Sequence, residues 1–115
     1  MIGFKDIKNI YIAAGPTDLR RGIDGYALLV QDKYNLSPFE DALFIFCNRT
    51  HNKIKCLYWD GRGFWLLYKR LDKGHFKWKK DNGMISISHQ QLEWLLQGLK
   101  IDQKDYIEES HPKFV

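Results

Sequence analysis

Apolar residues recur along the chain with two different spacings, which divide it into strands and helices. Asn9–Ala14 is rich in strand formers and ends at Gly15-Pro16, a strong turn signal. Apolar positions between Leu19 and Tyr34 then repeat every three or four residues, which predicts a helix with one apolar stripe. We expect Thr17 to cap this helix, because its hydroxyl can accept a hydrogen bond from a free N–H of the first turn.

The spacing changes to that of strands after residue 42. Leu43–Cys47 is continuously apolar, so we expect it at the centre of a sheet with both faces covered. Lys53–Trp59, Phe64–Leu71 and His75–Lys79 read as further strands, separated by turns that contain Asp and Gly. Met84–Ile87 is a last short strand. Consecutive strands joined by tight turns predict an antiparallel meander.

A second helix is predicted after the last strand. Ser88 and Gln91 have the spacing of a capping box, in which each side chain accepts a hydrogen bond from the other residue's backbone N–H. Leucines between Leu92 and Leu99 form its apolar stripe, and Gly98 lies near its end. The predicted fold is therefore α+β: a single antiparallel β-sheet, a meander, with two helices, the N-terminal helix packed on one face.

Length and composition predict one domain over residues 1–101, followed by a polar C-terminal tail of residues 102–115. No apolar run reaches membrane-spanning length, and the N-terminal residues do not read as a secretory signal. Two cysteines, Cys47 and Cys56, do not make a disulfide framework. We therefore expect a cytoplasmic protein in a reducing environment.

Positive charge is concentrated in the middle of the chain. Between Arg49 and Lys80 there are ten Lys and Arg against two acids, a net charge of +8, whereas the whole chain carries +4. Such a cluster attracts polyanions, although it also suits a solvated face that keeps the protein soluble. The alternation predicts that Lys53, Lys55, His75, Lys77 and Lys79 form a row on a shared face. The candidate DNA-binding residues are Arg49, Lys53, Lys55, Arg62, Lys69, Arg70, Lys77 and Lys79.

Large aromatic residues are interleaved with these cations. We expect Phe64, Phe76 and Trp78 to pack in the core or on a sheet face. Trp59 and Trp65 flank the predicted Asp60–Gly63 hairpin loop. These two tryptophans are candidates for stacking on an unpaired base or for contacting a protein partner.

No residue pattern predicts catalysis. The acids are scattered, and turn formation or a helix start explains Asp18, Asp60 and Asp72, with Asp18 also placed to hold a neighbouring arginine. Cys47 and Cys56, with His51 and His75, lack the paired spacing of zinc knuckles, and core packing explains both cysteines better. We expect no catalytic residue, no metal and no cofactor.

Several sequence blocks also follow one another in a fixed order. They include Thr17-Asp-Leu-Arg-Arg-Gly-Ile-Asp-Gly25, Tyr58-Trp-Asp-Gly-Arg-Gly-Phe64, Tyr68-Lys-Arg-Leu71 and Gln91-Leu92. The order resembles that of the small accessory proteins of IS66-type insertion sequences, the Orf2-like family often called TnpB. The resemblance extends to about residue 100. It implies a non-catalytic role in transposition beside a separate, larger transposase that carries the strand-transfer carboxylates.

Two hypotheses of function follow. In the first, the basic meander contacts DNA, mostly through phosphates. In the second, the protein is an adaptor that binds the transposase of the same element without touching DNA. The sequence leaves both open, and it does not predict an oligomeric state.

Overall fold

Five of the six predicted strands assemble into one sheet with a helix on each face. The computed structural model describes residues 3–103. Its elements are a 3₁₀ turn Phe4–Asp6, β1 Asn9–Ala14, α1 Ile23–Asp32, β2 Ala42–Cys47, β3 Lys53–Trp59, β4 Phe64–Arg70, β5 Gly83–Ile87 and α2 His89–Leu96. The strand order is β4-β3-β2-β1-β5.

The central position of β2 confirms the prediction from its apolar sequence. Every residue of Ala42–Cys47 is buried, and the strand lies between β1 and β3. On one face, Tyr26 and Val30 of α1 pack against Phe44 and Phe46, and the ring centroids of Tyr26 and Phe46 are 4.8 Å apart. On the other face, the core includes Leu92 and Leu95 of α2. Two apolar layers therefore meet on β2.

The sheet is mixed, so the prediction of a single antiparallel sheet is wrong. β1 and β2 run parallel, with Asn9 opposite Ala42 and Ile12 opposite Ile45. The connection between them carries α1 across one face, and such a crossover returns the chain to the end of the sheet at which β1 started. Of the predicted meander, the hairpin between β3 and β4 is confirmed, because these strands pair antiparallel across the Asp60–Gly63 turn. β2 and β3 also pair antiparallel.

Residues 71–82 form a crossover segment that carries the chain from β4, at one edge of the sheet, to β5, at the other. This segment lies across the end of the sheet where β1 and β2 terminate. Three backbone hydrogen bonds define its path. They run from Leu71 N–H to the Asn52 carbonyl (2.8 Å), from Phe76 N–H to the His51 carbonyl (2.7 Å) and from Gly15 N–H to the Lys79 carbonyl (2.8 Å).

The crossover segment replaces the strand predicted at His75–Lys79, which is wrong. Phe76 and Trp78 are buried, as predicted, in the core on the α2 side. The indole N–H of Trp78 donates to the carbonyls of Ala13 (3.0 Å) and Gly15 (3.1 Å). Buried and exposed side chains therefore alternate in this segment because Phe76 and Trp78 pack into the core on the α2 side. The segment itself is not a strand of the sheet. The following strand, β5, pairs with β1.

Thr17 does not cap the first helix. α1 begins six residues later, after Gly22, which provides no side-chain hydrogen bond. The backbone N–H of Thr17 instead donates to the carbonyl of Cys47 (2.8 Å), which ties the loop before α1 to the end of β2. The apolar spacing therefore predicted the helix, but α1 spans Ile23–Asp32 and begins four residues after Leu19, where the predicted stripe started.

The second helix has the predicted ends. Ser88 and Gln91 form the capping box, with Gln91 N–H to Ser88 Oγ at 3.0 Å and Ser88 N–H to Gln91 Oε1 at 2.8 Å. Gly98 adopts a φ of +83°, and the N–H of Leu99 reaches back to the carbonyl of Trp94 (2.8 Å), the bond of a Schellman motif. Among the described residues, no helix combines the length and apolar character needed to cross a bilayer. Most of the predicted tail, residues 104–115, lies outside the described residues.

The indole hydrogen bonds of Trp78 generate a stability prediction. We expect Trp78→Phe to lower the free energy of unfolding by about 1–3 kcal/mol, because buried carbonyls lose their donor. Trp65→Phe is the matched control, since its indole N–H bonds the exposed carboxylate of Asp60, and we expect a loss below about 0.5 kcal/mol. Urea unfolding followed by circular dichroism measures both changes. Equal losses for the two variants would contradict this account.

Candidate nucleic-acid interface

Cationic side chains gather at the end of the sheet where β1 and β2 terminate, which we call the basic end. β3 begins there and β4 ends there, so Lys53 lies opposite Arg70 and Lys69 lies opposite Ile54. The β2–β3 loop contributes Arg49, and the crossover segment adds its lysines. The basic end comprises Arg49, Lys53, Lys69, Arg70, Lys73, Lys77, Lys79 and Lys80.

The side chain of Asn48 holds the loop that carries Arg49. Its Oδ1 accepts from the backbone N–H groups of Asn52 (3.0 Å) and Lys53 (3.1 Å). Its Nδ2 donates to Thr50 Oγ1 (3.0 Å) and Asn52 Oδ1 (2.7 Å). Because one side chain bonds both the loop and the start of β3, Arg49 and Lys53 are presented on a fixed backbone.

An open groove of about 720 Å³ runs along the crossover segment. Lysines from the crossover segment and Lys100, which follows α2, line this groove together with the acids Asp81 and Asp102. Lys79 forms an ion pair with Asp102, and this hydrogen bond raises the pKa of Lys79. Lys79 is therefore partly neutralised, whereas Lys77 and Lys80 have no ion pair within residues 3–103.

A second groove, of about 610 Å³, lies on the α1 side of the basic end and includes Lys53, Lys55 and Tyr68 in its lining. Lys55 Nζ donates to the carbonyl of Arg21 (3.2 Å) and lies 5.9 Å from the ring centroid of Tyr68. At the same groove Arg20 donates to both carboxylate oxygens of Asp18, at distances of 2.7 to 3.1 Å. These hydrogen bonds hold the pKa of Asp18 well below its ordinary value, as expected for an acid that holds an arginine.

The predicted cationic row on a shared face is wrong. Lys53 and Lys55 share the α1 side of the sheet with Leu57, because residues two apart on a strand point the same way. Lys77 and Lys79 alternate with Phe76 and Trp78, which pack into the core on the α2 side. Strand periodicity could not relate the two sets, since the crossover segment is outside the sheet. They meet at one end of the sheet and not on one face.

Arg62 lies apart from the other candidate cations. It belongs to the β3–β4 hairpin loop, at the opposite end of the sheet, which we call the hairpin end. β3 has seven residues. At about 3.3 Å per residue, its two ends are roughly 20 Å apart. Sequence proximity in the charged stretch therefore overstated the clustering, because a hairpin moves its turn a full strand length away.

Both candidate tryptophans also lie at the hairpin end. Trp59 packs against Phe39 and Phe64, with ring centroids 5.0 Å and 4.9 Å apart. Trp65 is 44% exposed, and its indole N–H donates to Asp60 Oδ2 (2.9 Å). The same carboxylate accepts from the N–H groups of Arg62 and Gly63, which confirms that Asp60 is a turn residue. Neither tryptophan lies beside the basic end.

His51 lies at the basic end, and its pKa responds to the burial and charge there. Burial, and then the positive charges of Lys80 and His75, hold the pKa of His51 below its ordinary value. The ring of His75 is positioned by a 2.8 Å contact between its Nδ1 and the carbonyl oxygen of Thr50. His51 is therefore a partly buried side chain with the positive charge of Lys80 nearby.

The cysteines are core residues, as predicted. Cys47 and Cys56 are buried, and burial raises the pKa of each thiol to about 12. Within residues 3–103, no three His, Cys, Asp or Glu side chains come close enough together to hold a metal ion.

Sequence reasoning did not include three cations of this region among the candidates. Lys73 and Lys80 belong to the same charged stretch but lie outside the predicted strands. Lys100 lies beyond α2, and its place in the groove depends on how that helix packs. No signal in the local sequence identifies it.

Comparisons with known proteins give the family. The model of the family described as IS66 Orf2 like protein matches residues 8–106. The chain is 42% identical over 91 residues to uncharacterized protein y4hO of Sinorhizobium fredii (strain NBRC 101917 / NGR234), covering 78% of this chain and 79% of that protein. It is 32% identical over 100 residues to uncharacterized protein y4jC of the same strain, covering 86% of each. No solved structure gives a significant match.

The chain therefore belongs to the IS66 Orf2-like family. It is an accessory protein of an IS66-type insertion sequence, as the sequence blocks predicted.

The environment of His51 generates a prediction about pH. Its pKa in the folded protein is lower than in the unfolded chain, so the unfolded chain binds more protons. The contribution of His51 to the free energy of unfolding is therefore complete above about pH 6.5 and is lost as the pH falls below that value. We expect an NMR titration to place the pKa of His51 below 6.5, and Lys80→Gln to raise it. An unchanged pKa in Lys80→Gln would contradict the contribution assigned to Lys80, which comes second to burial.

Proposed function

We propose that this protein assists transposition by binding DNA through its basic end. The proposal rests on the convergence of cations from three separate segments, namely the β2–β3 loop, the β3–β4 pair and the crossover segment. These segments are held together by backbone hydrogen bonds, so the positive charge is presented on a rigid surface. Clustered cations on a rigid surface favour a polyanion over a small ligand.

The contacts we propose are with phosphates. Lysines and arginines at the basic end supply charge for phosphates, whereas Trp59 and Trp65, the candidates for stacking on bases, lie at the hairpin end. One exposed aromatic ring, Tyr68, lines the second groove. Phosphate contacts position a protein on DNA but carry no sequence information. Binding should therefore depend weakly on sequence and fall steeply as salt rises.

The grooves on the two sides of the basic end are the sites at which we propose that phosphates bind. Lys77 and Lys80 line one groove, and Lys53 and Lys55 line the other. We propose that a DNA backbone follows the basic end from one groove to the other, while strand cleavage and joining remain with the separate transposase.

Charge reversal tests the proposal. We expect the double variant Lys77→Glu, Lys80→Glu to lower affinity for duplex DNA at least about tenfold at low salt, because two attractive interactions with phosphates become repulsive. The slope of log affinity against log salt should also become shallower, by about 0.9 for each phosphate that the variant no longer neutralises. Fluorescence anisotropy with labelled DNA measures both quantities.

The matched control changes the same net charge at the hairpin end. Lys8→Glu, Arg62→Glu replaces two exposed cations there, and we expect affinity close to that of the parent. If both double variants weaken binding equally, net charge and not the basic end governs binding. If the parent does not bind DNA at low salt, the proposal fails.

A second candidate function is supported by the aromatic surface at the hairpin end. Phe39 is 54% exposed, and its ring lies 5.0 Å from that of Trp59 and 5.3 Å from that of Phe64. Exposed aromatic clusters are enriched at protein interfaces. This surface suits an adaptor that binds the transposase of the same element.

The adaptor hypothesis predicts that Phe39→Asp abolishes capture of the transposase, with the same result before and after nuclease treatment. Leu28→Asp is the matched control, because Leu28 is similarly exposed, at 55%, on α1. A pull-down with the transposase measures the effect. Capture that survives Phe39→Asp but is lost on nuclease treatment would favour a bridge made by DNA.

A further inference from the structure

Within residues 3–103, the outer edge of β4 has no strand partner. β4 is an edge strand, and its only strand neighbour in this part of the chain is β3. Along an antiparallel pair, every second residue exchanges backbone hydrogen bonds with the partner strand. The β3–β4 pair has such bonds at both ends, from Asp60 N–H to the Gly63 carbonyl and from Leu71 N–H to the Asn52 carbonyl. The odd-numbered residues of β4 bond β3. The backbone groups of the even-numbered residues therefore face outward: Phe64, Leu66, Tyr68 and Arg70.

Little in the β4 sequence discourages another strand from pairing with this edge. The strand is seven residues long, Phe-Trp-Leu-Leu-Tyr-Lys-Arg, without Pro, Gly or an acid, and its charges are confined to one end. Trp65 is 44% exposed and Tyr68 is 55% exposed. Natural edge strands are usually shortened, bulged or charged in the middle to prevent pairing. The other edge strand, β5, is shorter, with five residues, and starts at a glycine with φ of +104°.

We propose that β4 pairs antiparallel with β4 of a second copy of this chain, about a two-fold axis at Leu67. In this register the outward-facing Leu66 of one copy bonds Tyr68 of the other, and Phe64 bonds Arg70. Every outward-facing residue of both strands then exchanges backbone hydrogen bonds with a partner. Leu67 lies opposite the same residue of the second copy, in a pair without backbone bonds.

The side chains support a second copy as the partner, because the strand is complementary to itself. On the α2 side, Lys69 of one copy lies opposite Trp65 of the other. On the α1 side, Arg70 lies opposite Phe64. Each cation therefore faces an aromatic ring, a favourable arrangement, and no like charges are opposed.

Neighbouring registers are less favourable. A shift of two residues in one direction brings Arg70 opposite Arg62 of the other copy, which opposes like charges. A shift in the other direction places Phe64 opposite Asp72, which lies beyond the strand, so Phe64 loses its backbone partner. The register centred on Leu67 is therefore the one that the strand itself selects.

The proposed dimer has one continuous sheet built from two copies of the five-stranded sheet. Because the paired strands are antiparallel, the two basic ends point in opposite directions. This inference does not rest on DNA binding. If both proposals hold, one dimer presents two separate DNA-binding surfaces.

Charge placement on β4 tests the dimer. Sedimentation velocity of the parent should give a mass twice the 13.7 kDa of the chain, falling towards the monomer on dilution. Trp65→Lys should give a monomer, because residue 65 of each copy lies opposite Lys69 of the other. The two symmetric pairs would then each oppose like charges. Adding Lys69→Glu to Trp65→Lys should restore the dimer through opposite charges.

The matched control is Leu28→Lys, which makes the same kind of change at an exposed site on α1 and should leave the dimer intact. Circular dichroism verifies that each variant is folded. A monomeric parent at all concentrations overturns the proposal. A dimer that survives Trp65→Lys overturns it as well.

Crosslinking tests the register. In Leu67→Cys, two engineered thiols face each other across the axis, at a spacing suited to a disulfide. Oxidation should therefore give a covalent dimer in high yield. The native Cys47 and Cys56 are buried and should not react. Ser86→Cys, at an exposed position on β5, is the control and should stay monomeric on a non-reducing gel. Equal crosslinking of the two variants would overturn the proposed register.

Discussion

The docking of Phe76 and Trp78 under the end of the sheet is the constraint on which the rest of the structure depends. These two side chains are buried, and the indole N–H of Trp78 bonds the carbonyls of Ala13 and Gly15 at the end of β1. Their burial holds the crossover segment against the sheet, which allows the chain to travel from β4 to β5. The same packing brings the lysines between and after these aromatics to the end of the sheet that carries Lys53 and Arg70. Packing of apolar side chains therefore creates the charged surface.

The two ends of the sheet carry different kinds of side chain, and the length of β3 and β4 keeps these apart. The basic end gathers cations from three segments, and burial together with the charges of Lys80 and His75 lowers the pKa of His51 there. At the hairpin end, Asp60 bonds its own turn and the indole of Trp65, and an aromatic surface forms around Phe39. A cluster of cations at one end of the sheet and a cluster of aromatic rings at the other therefore lie a strand length apart. The outer edge of β4 runs between them.

Much of the local structure followed from the order of the residues. The strands β3 and β4, the hairpin between them and the capped helix α2 were predicted from alternation, turn residues and the Ser88–Gln91 spacing. The burial of β2 followed from its unbroken apolar sequence. The candidate cations were recognisable by charge, yet their grouping was not, because strand periodicity relates only residues within one sheet. Arg62 was grouped with the other cations but lies at the hairpin end. Lys77 and Lys79 were predicted on a strand but lie on the crossover segment.

The sequence by itself determined which residues are apolar, which turn, and where charge is dense, since these depend on neighbours a few positions away. The sequence also identified the family, because the order of the sequence blocks can be read without a structure. Only the tertiary structure decided that β1 and β2 run parallel, that β5 joins β1, and that the cations meet at one end. Those arrangements depend on where a helix or a crossover segment can bury its apolar side, and this burial involves residues far apart in the chain. Thr17 shows the same limit on a small scale, because its bond to Cys47 replaced the local cap.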